Sequence, residues 1–155
     1  MTVITVKAKE QKLFVHCKGK LLASFRVSTA KRGIGAEKGS LQTPPGRHRI
    51  YKKIGARAAK GAVFKDRVNT GEIWDGKSQF GDLILSRIIQ IEGVEPGINK
   101  GGNVDTLERY VYFHGTNHVK NIGKPSSHGC ITMRCSDIIK FFKLVKKGDH
   151  VIIQP

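Results

Sequence analysis

The chain has 155 residues, of which 39% are hydrophobic and 26% are charged, close to the average of soluble globular domains. A chain of this length buries about 70% of its unfolded surface, which excludes a disordered tail and a cysteine-stapled miniprotein. No apolar run approaches the ~20 residues of a membrane span. No repeat or low-complexity segment marks a boundary, so we expect residues 1–155 to form a single domain.

The chain is strongly basic, with 28 Lys and Arg against 12 Asp and Glu and a net charge of +16. Such a charge attracts anionic partners over a long range, and nucleic acid is the first class to consider. Basic side chains are concentrated in residues 31–67, where Tyr51 and Phe64 are the only aromatic residues. Because no nucleic-acid-binding motif is present, we interpret this segment as a solvated basic face or a surface that attracts an anionic substrate.

The N-terminus and the cysteines indicate the cellular compartment of the protein. Residues 1–7 alternate polar and apolar side chains, as a half-buried strand does, and contain no apolar signal-peptide core. The number of cysteines is odd, since the chain has Cys17, Cys130 and Cys135. At least one thiol is therefore free, as is typical of a reducing compartment. These observations predict a cytoplasmic protein. The alternative is a periplasmic or cell-wall protein whose signal peptide is missing from the sequence.

The first third of the chain predicts a β-meander, with strands over residues 2–8, 12–17 and 20–28. Residues 29–46 are rich in Gly and Lys and end in Thr-Pro-Pro-Gly, which predicts a long surface loop. Further strands are predicted at residues 49–51, 83–92, 110–114 and 151–153, with Gly-rich loops at 71–81 and 93–102. Loops of this length in one domain are usually functional, so we expect them to surround a cleft.

One amphipathic helix is predicted near the C-terminus. Its apolar face recurs at i, i+3, i+4 and i+7 and consists of Ile138, Phe141, Phe142 and Val145. Ser136 is the predicted N-cap, and Gly148 is the predicted stop. The elements together predict a mostly β fold with a small α component, in which a C-terminal helix is followed by a final strand.

Chemistry is concentrated in residues 114–130, where three of the six histidines and one thiol lie within seventeen positions: His114, His118, His128 and Cys130. A free cysteine is mostly protonated near neutrality, so a nucleophilic one needs an imidazole or hydrogen-bond donors to stabilise its thiolate. Gly129 permits a tight turn whose N–H groups can converge on an oxyanion. Spacing alone leaves three interpretations open: a nucleophile, an inert small hydrophobe, or zinc ligation by these four residues.

Two segments resemble the L,D-transpeptidase catalytic domain, or YkuD, family. His-Gly-Thr-Asn at 114–117 and Ser-His-Gly-Cys at 127–130 are similar to the family's signature, and Met-Arg at 133–134 is similar to its continuation. Thr-Pro-Pro-Gly at 43–46 is similar to a second landmark of the family. The resemblance spans nearly the whole chain and implies a β-sandwich with long active-site loops.

The resemblance also implies cysteine-dependent acyl transfer on peptidoglycan stem peptides, at the bond between the third residue and a terminal D-amino acid. It implies that Cys130 is the nucleophile and that His114, rather than His128, is the base. The N–H groups of the His128-Gly129-Cys130 turn are the implied oxyanion donors. We expect Ser127 to orient this turn and Gly115 to allow close approach of the backbone. No metal or other cofactor is expected.

One departure from the family's pattern concerns substrate binding. Two residues after the cysteine the family commonly carries Arg or Asn, whereas this chain has Thr132. We expect Arg134 to bind the stem-peptide carboxylate instead, since a guanidinium suits a bidentate pair with a carboxylate. The expected partners are muropeptides rather than nucleic acid, and the expected state is a monomer.

The outcome of the reaction depends on the acceptor. Water gives an L,D-carboxypeptidase that removes the terminal D-alanine of tetrapeptide muropeptides during peptidoglycan recycling, and the predicted cytoplasmic location favours this function. A stem-peptide amine gives an L,D-transpeptidase that forms 3-3 cross-links, which requires export. An alternative from another class is a basic, non-catalytic module that binds wall fragments or nucleic acid.

Overall fold

The computed structural model describes residues 1–155 and is rich in β structure. Its strands are β1 (Thr2–Lys7), β2 (Lys12–Cys17), β3 (Lys20–Arg26), β4 (Gly46–Ile54), β5 (Ala62–Lys65), β6 (Val68–Ile73), β7 (Ile84–Gly93), β8 (Tyr112–Gly115), β9 (Ile131–Met133) and β10 (His150–Gln154). The α-helix, α1, spans Cys135–Leu144, and short 3₁₀ helices lie at Gly102–Val104 and Val119–Asn121. No helix has the length and hydropathy needed to cross a membrane. The predicted fold class, mostly β with a C-terminal helix before the last strand, is confirmed.

The ten strands hydrogen-bond into one mixed sheet in the order β3-β2-β1-β10-β4-β7. Strand β7 then pairs with β5, whose hairpin partner is β6, and also with β8, which pairs with β9. The pairs β1–β10 and β8–β9 are parallel, and the others are antiparallel. A bridge between Ser28, just after β3, and Thr132 in β9 brings the two ends of this path together. The layers of the predicted sandwich are therefore parts of one bent, continuous sheet.

The core lies inside this bent sheet because the strands alternate between buried and exposed side chains. Its cluster of 18 buried apolar residues draws on β1, β2, β4, β7, β8, β9, β10 and α1. Helix α1 packs its apolar face against it, and the rings of Phe113 and Phe141 meet edge to face at 5.1 Å. The core thus fixes the positions of β8, which contains His114, and of β9, which begins immediately after Cys130.

The helix begins differently from the sequence prediction. Arg134, extended at φ −62° and ψ 148°, is the N-cap, and the helix starts at Cys135, so the prediction of Ser136 as N-cap is wrong. Because α1 follows β9 with one intervening residue, Ser136 already lies in the first turn. The helix also ends at Leu144, before Gly148, which lies in the turn leading to β10.

Three strands, β5, β6 and β9, were not predicted from the sequence. Every residue of β6 is exposed, so the strand has no alternation to recognise, and part of it lies in the predicted loop 71–81. The turn between β5 and β6 is made by Asp66 and Arg67, both with positive φ and neither a glycine. Strand β9 has only three residues and is defined by its parallel pairing with β8.

Candidate active site

The candidate site is built on the two parallel strands β8 and β9. Their register places His114 opposite Thr132, and Cys130 immediately precedes β9. Side chains alternate along each strand, so Phe113 and Ile131 face the core while His114 and Thr132 line a cavity on the other face. This cavity measures about 340 Å³, and Cys130 also lines it.

The Cys130 thiol has two main-chain partners. Its Sγ accepts the N–H of Tyr112 at 3.3 Å and donates toward the carbonyl of Tyr110 at 3.7 Å. Burial raises the pKa of Cys130 to about 11, an effect that the Tyr112 N–H and the positive charge of Arg109 oppose. The thiol is therefore protonated near neutrality and needs a base before it can act as a nucleophile.

His114 is a buried imidazole with a fixed tautomer. Its Nδ1 lies 2.7 Å from the Gly115 carbonyl, which can only accept, so Nδ1 carries the proton and Nε2 is a free base. Burial lowers the pKa of His114, and the Gly115 carbonyl and the Asp82 carboxylate oppose this effect. The structure thus brings a neutral imidazole and a protonated thiol to the same cavity.

Gly115 is required by packing between strands. A Cβ at this position would lie 2.5 Å from the carbonyl oxygen of Leu85 in β7. Only glycine lets β8 lie this close to β7, and the carbonyl that orients His114 belongs to the same residue.

Ser127 organises the turn before β9. Its Oγ donates to the Cys130 carbonyl at 2.6 Å and accepts the Gly129 N–H at 3.2 Å. Gly129 has φ +133°, a conformation that favours glycine. The N–H groups of His128 and Cys130 donate to no protein atom, so two of the three predicted oxyanion donors are free and the third is held by Ser127.

The loop 29–46 supports this turn. Thr43 Oγ1 donates to the Gly129 carbonyl at 2.9 Å and accepts the Ala30 N–H at 2.9 Å. Arg109 donates to the Gln42 carbonyl at 2.6 Å, so it fixes the neighbouring residue of the same loop. From the sequence, Thr43 was recognised only as part of a motif, and Arg109 was not predicted because its position carries no local signal.

Three polar residues meet at the cavity. The two oxygens of the Asp82 carboxylate lie 2.9 Å from Nε2 of His118 and 2.9 Å from Nδ1 of His128, and His118 Nε2 hydrogen-bonds to the Gly81 carbonyl at 2.8 Å. No three His, Cys, Asp or Glu side chains are grouped in the geometry of a metal site. Asp82 was missed by the sequence analysis because it lies in a loop, 32 positions before His114 in the chain.

Arg134 is not brought to the cavity. It is exposed and caps α1, and it does not line the cavity that contains Cys130. The physical reason is that β9 ends at Met133, so the alternation that carries Thr132 into the cavity does not continue to Arg134. Thr132 is buried, and its hydroxyl lies 3.5 Å from the Ser28 carbonyl.

The three cysteines of the chain are free thiols. Cys135 is buried at the start of α1, and burial raises its pKa. Cys17 lies in β2, and neither residue lines the cavity.

Comparison with known proteins identifies the family. Residues 1–153 match the family model described as YkuD, the L,D-transpeptidase catalytic domain. The chain therefore belongs to the L,D-transpeptidase catalytic domain family, as the sequence motifs predicted. Comparison with curated protein sequences gave no match.

Solved L,D-transpeptidases share the fold at low sequence identity. One from Mycobacterium smegmatis has a TM-score of 0.62 and 19% identity, covering 99% of this chain and 58% of its own. A mutant from Enterococcus faecium has a TM-score of 0.61 and 18% identity, covering 99% and 49%. L,D-transpeptidase 3 from Mycobacterium tuberculosis, in complex with a faropenem-derived adduct, gives 0.61 and 16%, covering 99% and 60%. The chain thus spans about half to three-fifths of the length of these structures.

Proposed function

We propose that this domain is a cysteine-dependent acyl-transfer enzyme that acts on peptidoglycan stem peptides. The observation that carries the proposal is the arrangement of Cys130 and His114 on one cavity, with the imidazole held in the tautomer that leaves Nε2 free. Family membership supports the substrate class. In this proposal Cys130 is the nucleophile and His114 is the general base.

The proposed first step transfers the thiol proton from Sγ of Cys130 to Nε2 of His114 as Sγ attacks the carbonyl carbon of the third stem residue. The oxyanion that forms accepts hydrogen bonds from the free N–H groups of His128 and Cys130. The tetrahedral intermediate then collapses, the C–N bond breaks, and the departing amine takes the proton from the His114 imidazolium. The product is a thioester on Cys130 and a free D-amino acid.

We propose that water is the acceptor that resolves the thioester, with His114 again as the base. The cavity of about 340 Å³ is at the small end of the ~300–1,000 Å³ of ligand sites, a size that one stem peptide fills. A second cavity, beside Phe64 and Arg67, is not lined by Cys130. The enzyme would then be an L,D-carboxypeptidase that trims D-alanine from tetrapeptide muropeptides in the cytoplasm during peptidoglycan recycling.

The second candidate is an L,D-transpeptidase that forms 3-3 cross-links in the periplasm or cell wall. Its support is that the solved structures with this fold are named L,D-transpeptidases. The catalytic residues would be the same, and only the acceptor would differ.

The experiment is mass spectrometry of a tetrapeptide muropeptide incubated with the protein, and with Cys130→Ala, both in the presence of a chelator. We expect loss of one alanine from the monomeric muropeptide with the wild type and no reaction with the variant. A dimer formed with release of alanine would instead support the transpeptidase. A non-catalytic binding module would bind ligand equally well with Cys130→Ala, with an affinity that falls steeply with salt.

A further inference from the structure

The turn between β5 and β6 reaches the segment that holds the Cys130 thiol. Arg67, in this turn, donates from one guanidinium nitrogen to the phenol oxygen of Tyr112 at 3.1 Å. The same guanidinium lies over the ring of Tyr110, 4.5 Å from its centroid. Tyr110 and Tyr112 are the two residues whose main chain contacts Sγ of Cys130. One side chain of a distant turn thus contacts both residues that hold the thiol.

The backbone on both sides of this contact needs support. Tyr110 has φ +56° and Arg67 has φ +65°, in the left-handed region that residues with a Cβ rarely adopt. Such a conformation is unfavourable and persists only where the surrounding structure holds it. Tyr110 is 55% exposed, so core packing does not hold it, and its ring contacts the Arg67 guanidinium and the ring of Tyr112. The stacked guanidinium therefore supports the strained backbone of Tyr110.

The position of Arg67 is itself fixed by the strands of its hairpin. Strand β5 pairs with both β6 and β7. Its residues Ala62 and Phe64 are buried in an apolar cluster with Tyr112, and Cys130 packs against this cluster. The hairpin is therefore anchored beside the thiol, and the turn carries the guanidinium to a defined place on the two tyrosines.

The two main-chain contacts affect the Cys130 thiol in different ways. The Tyr112 N–H donates to Sγ and so stabilises the thiolate, which lowers the pKa of Cys130 against the larger effect of burial. The Tyr110 carbonyl accepts from the S–H and orients the neutral thiol. When the proton leaves Sγ, the Tyr112 N–H remains as the donor that holds the sulfur in place. A displaced main chain would therefore make the thiol less reactive.

We propose that Arg67 is a positioning residue, which sets the reactivity of Cys130 by holding the main chain of Tyr110 and Tyr112 around the thiol. The inference deepens the proposed function, on which it rests for the role of Cys130. Arg67 does not line the cavity that contains Cys130, so it acts through the two tyrosines rather than by contact with the peptide.

The first experiment measures alkylation of Cys130 by iodoacetamide at a fixed pH. The site is read by mass spectrometry after digestion, because the other two cysteines are also free thiols. We expect Arg67→Met to slow alkylation by about tenfold, the value of one hydrogen bond to a charged group. Arg67→Lys, which keeps a cation for the Tyr110 ring, should restore part of the rate. Arg57→Met removes an exposed guanidinium that lines the same second cavity as Arg67, and it should leave the rate unchanged.

Tyr112→Phe tests whether Arg67 acts through the tyrosine. The variant keeps the ring but removes the phenol oxygen, so we expect alkylation to slow by about threefold. The double variant Arg67→Met/Tyr112→Phe should be no slower than Arg67→Met alone, because both changes remove the same contact. Unchanged or faster alkylation in Arg67→Met would overturn the inference, since a turn that is only loosened exposes the thiol. Equal slowing in Arg57→Met would overturn it as well.

Turnover of a tetrapeptide separates this inference from the proposed function. We expect Arg67→Met to lower kcat by about tenfold and to change KM by less than about twofold, because Arg67 does not contact the peptide. A fall confined to binding, seen as a raised KM with unchanged kcat, would overturn the inference. Slower alkylation in Arg67→Met without any turnover by the wild type would keep the role of Arg67 and reject the proposed function. Wild-type turnover with equal alkylation in both proteins would keep the function and reject the role of Arg67.

Discussion

The two faces of β8 and β9 are made by neighbouring residues and have different tasks. Phe113, Ile131 and Met133 are fully buried in the core and pack with α1. His114 and Thr132 alternate with them and line the cavity that contains Cys130. Adjacent residues of one strand therefore serve the stability of the fold and the chemistry of the cavity. Substitutions on the two faces should therefore have separable effects on folding and on activity.

The largest effect is expected from His114→Gln on the cavity face. Loss of the proposed base should lower kcat/KM by about 10²–10⁴, the range of general acid–base catalysis. The midpoint of urea unfolding should change little by comparison. His16→Gln, on β2 and outside the cavity, is the matched control and should keep full activity. A loss of less than tenfold with His114→Gln would contradict the role of His114 as the base.

Phe113→Ala tests the core face of the same strand. Removing this fully buried ring should lower the free energy of unfolding by about 3–5 kcal/mol, measured by urea denaturation. Phe80→Ala, at a ring that is 89% exposed, should have almost no effect. The activity per folded molecule should fall far less than with His114→Gln. An equal fall in activity per folded molecule in Phe113→Ala and His114→Gln would show that the effects of the two faces are not separable.

Thr43→Val tests the support of the turn from the loop 29–46. The variant keeps the shape of the side chain but leaves the Ala30 N–H and the Gly129 carbonyl without this partner. We expect a loss of about 1–3 kcal/mol in unfolding free energy, the cost of unsatisfied buried groups, and about a tenfold loss of kcat. Thr70→Val, at an exposed hydroxyl, is the control. Unchanged kcat with Thr43→Val would show that the turn holds its geometry without Thr43.

Arg109→Met tests the electrostatics of the thiol, and its expected effect is the smallest. The pKa of Cys130 is raised to about 11 by burial, and the Arg109 charge opposes this rise. Removing the charge disfavours the thiolate further, so the pKa should rise and alkylation by iodoacetamide at a fixed pH should slow. Arg87→Met removes another partly buried guanidinium, whose partners are the carbonyls of Ala58 and Ser86. An equal slowing of alkylation in Arg109→Met and Arg87→Met would contradict a specific role for Arg109.

The sequence predicted the fold wherever side chains alternate. The first three strands begin and end within two residues of the predicted bounds because their apolar residues recur at period two, and those of β1 and β2 form part of the core. The β5–β6 hairpin was missed since β6 is exposed along its whole length. The continuity of the sheet also could not be predicted from the sequence, because it depends on the pairing of β7 with several strands.

The residues of the candidate site also differ in whether a local sequence pattern could predict them. Cys130, His114 and Ser127, which line the cavity, could be predicted as site candidates because they lie in two short strings of residues on one segment. Asp82 and Arg109 come to the site through the pairing of β7 with β8 and through the loop 29–46, which no local pattern reveals. Arg134 was predicted from its nearness in sequence, but the end of β9 leaves it outside the cavity.

Trapping the acyl-enzyme tests most directly whether Cys130 is the nucleophile. The protein is mixed with a tetrapeptide, quenched in acid, digested, and examined by mass spectrometry for the modified peptide. If Cys130 is the nucleophile, Cys130 carries the mass of the tripeptide acyl group, and Cys130→Ala gives neither adduct nor product. Product formation by Cys130→Ala at the wild-type rate would contradict it.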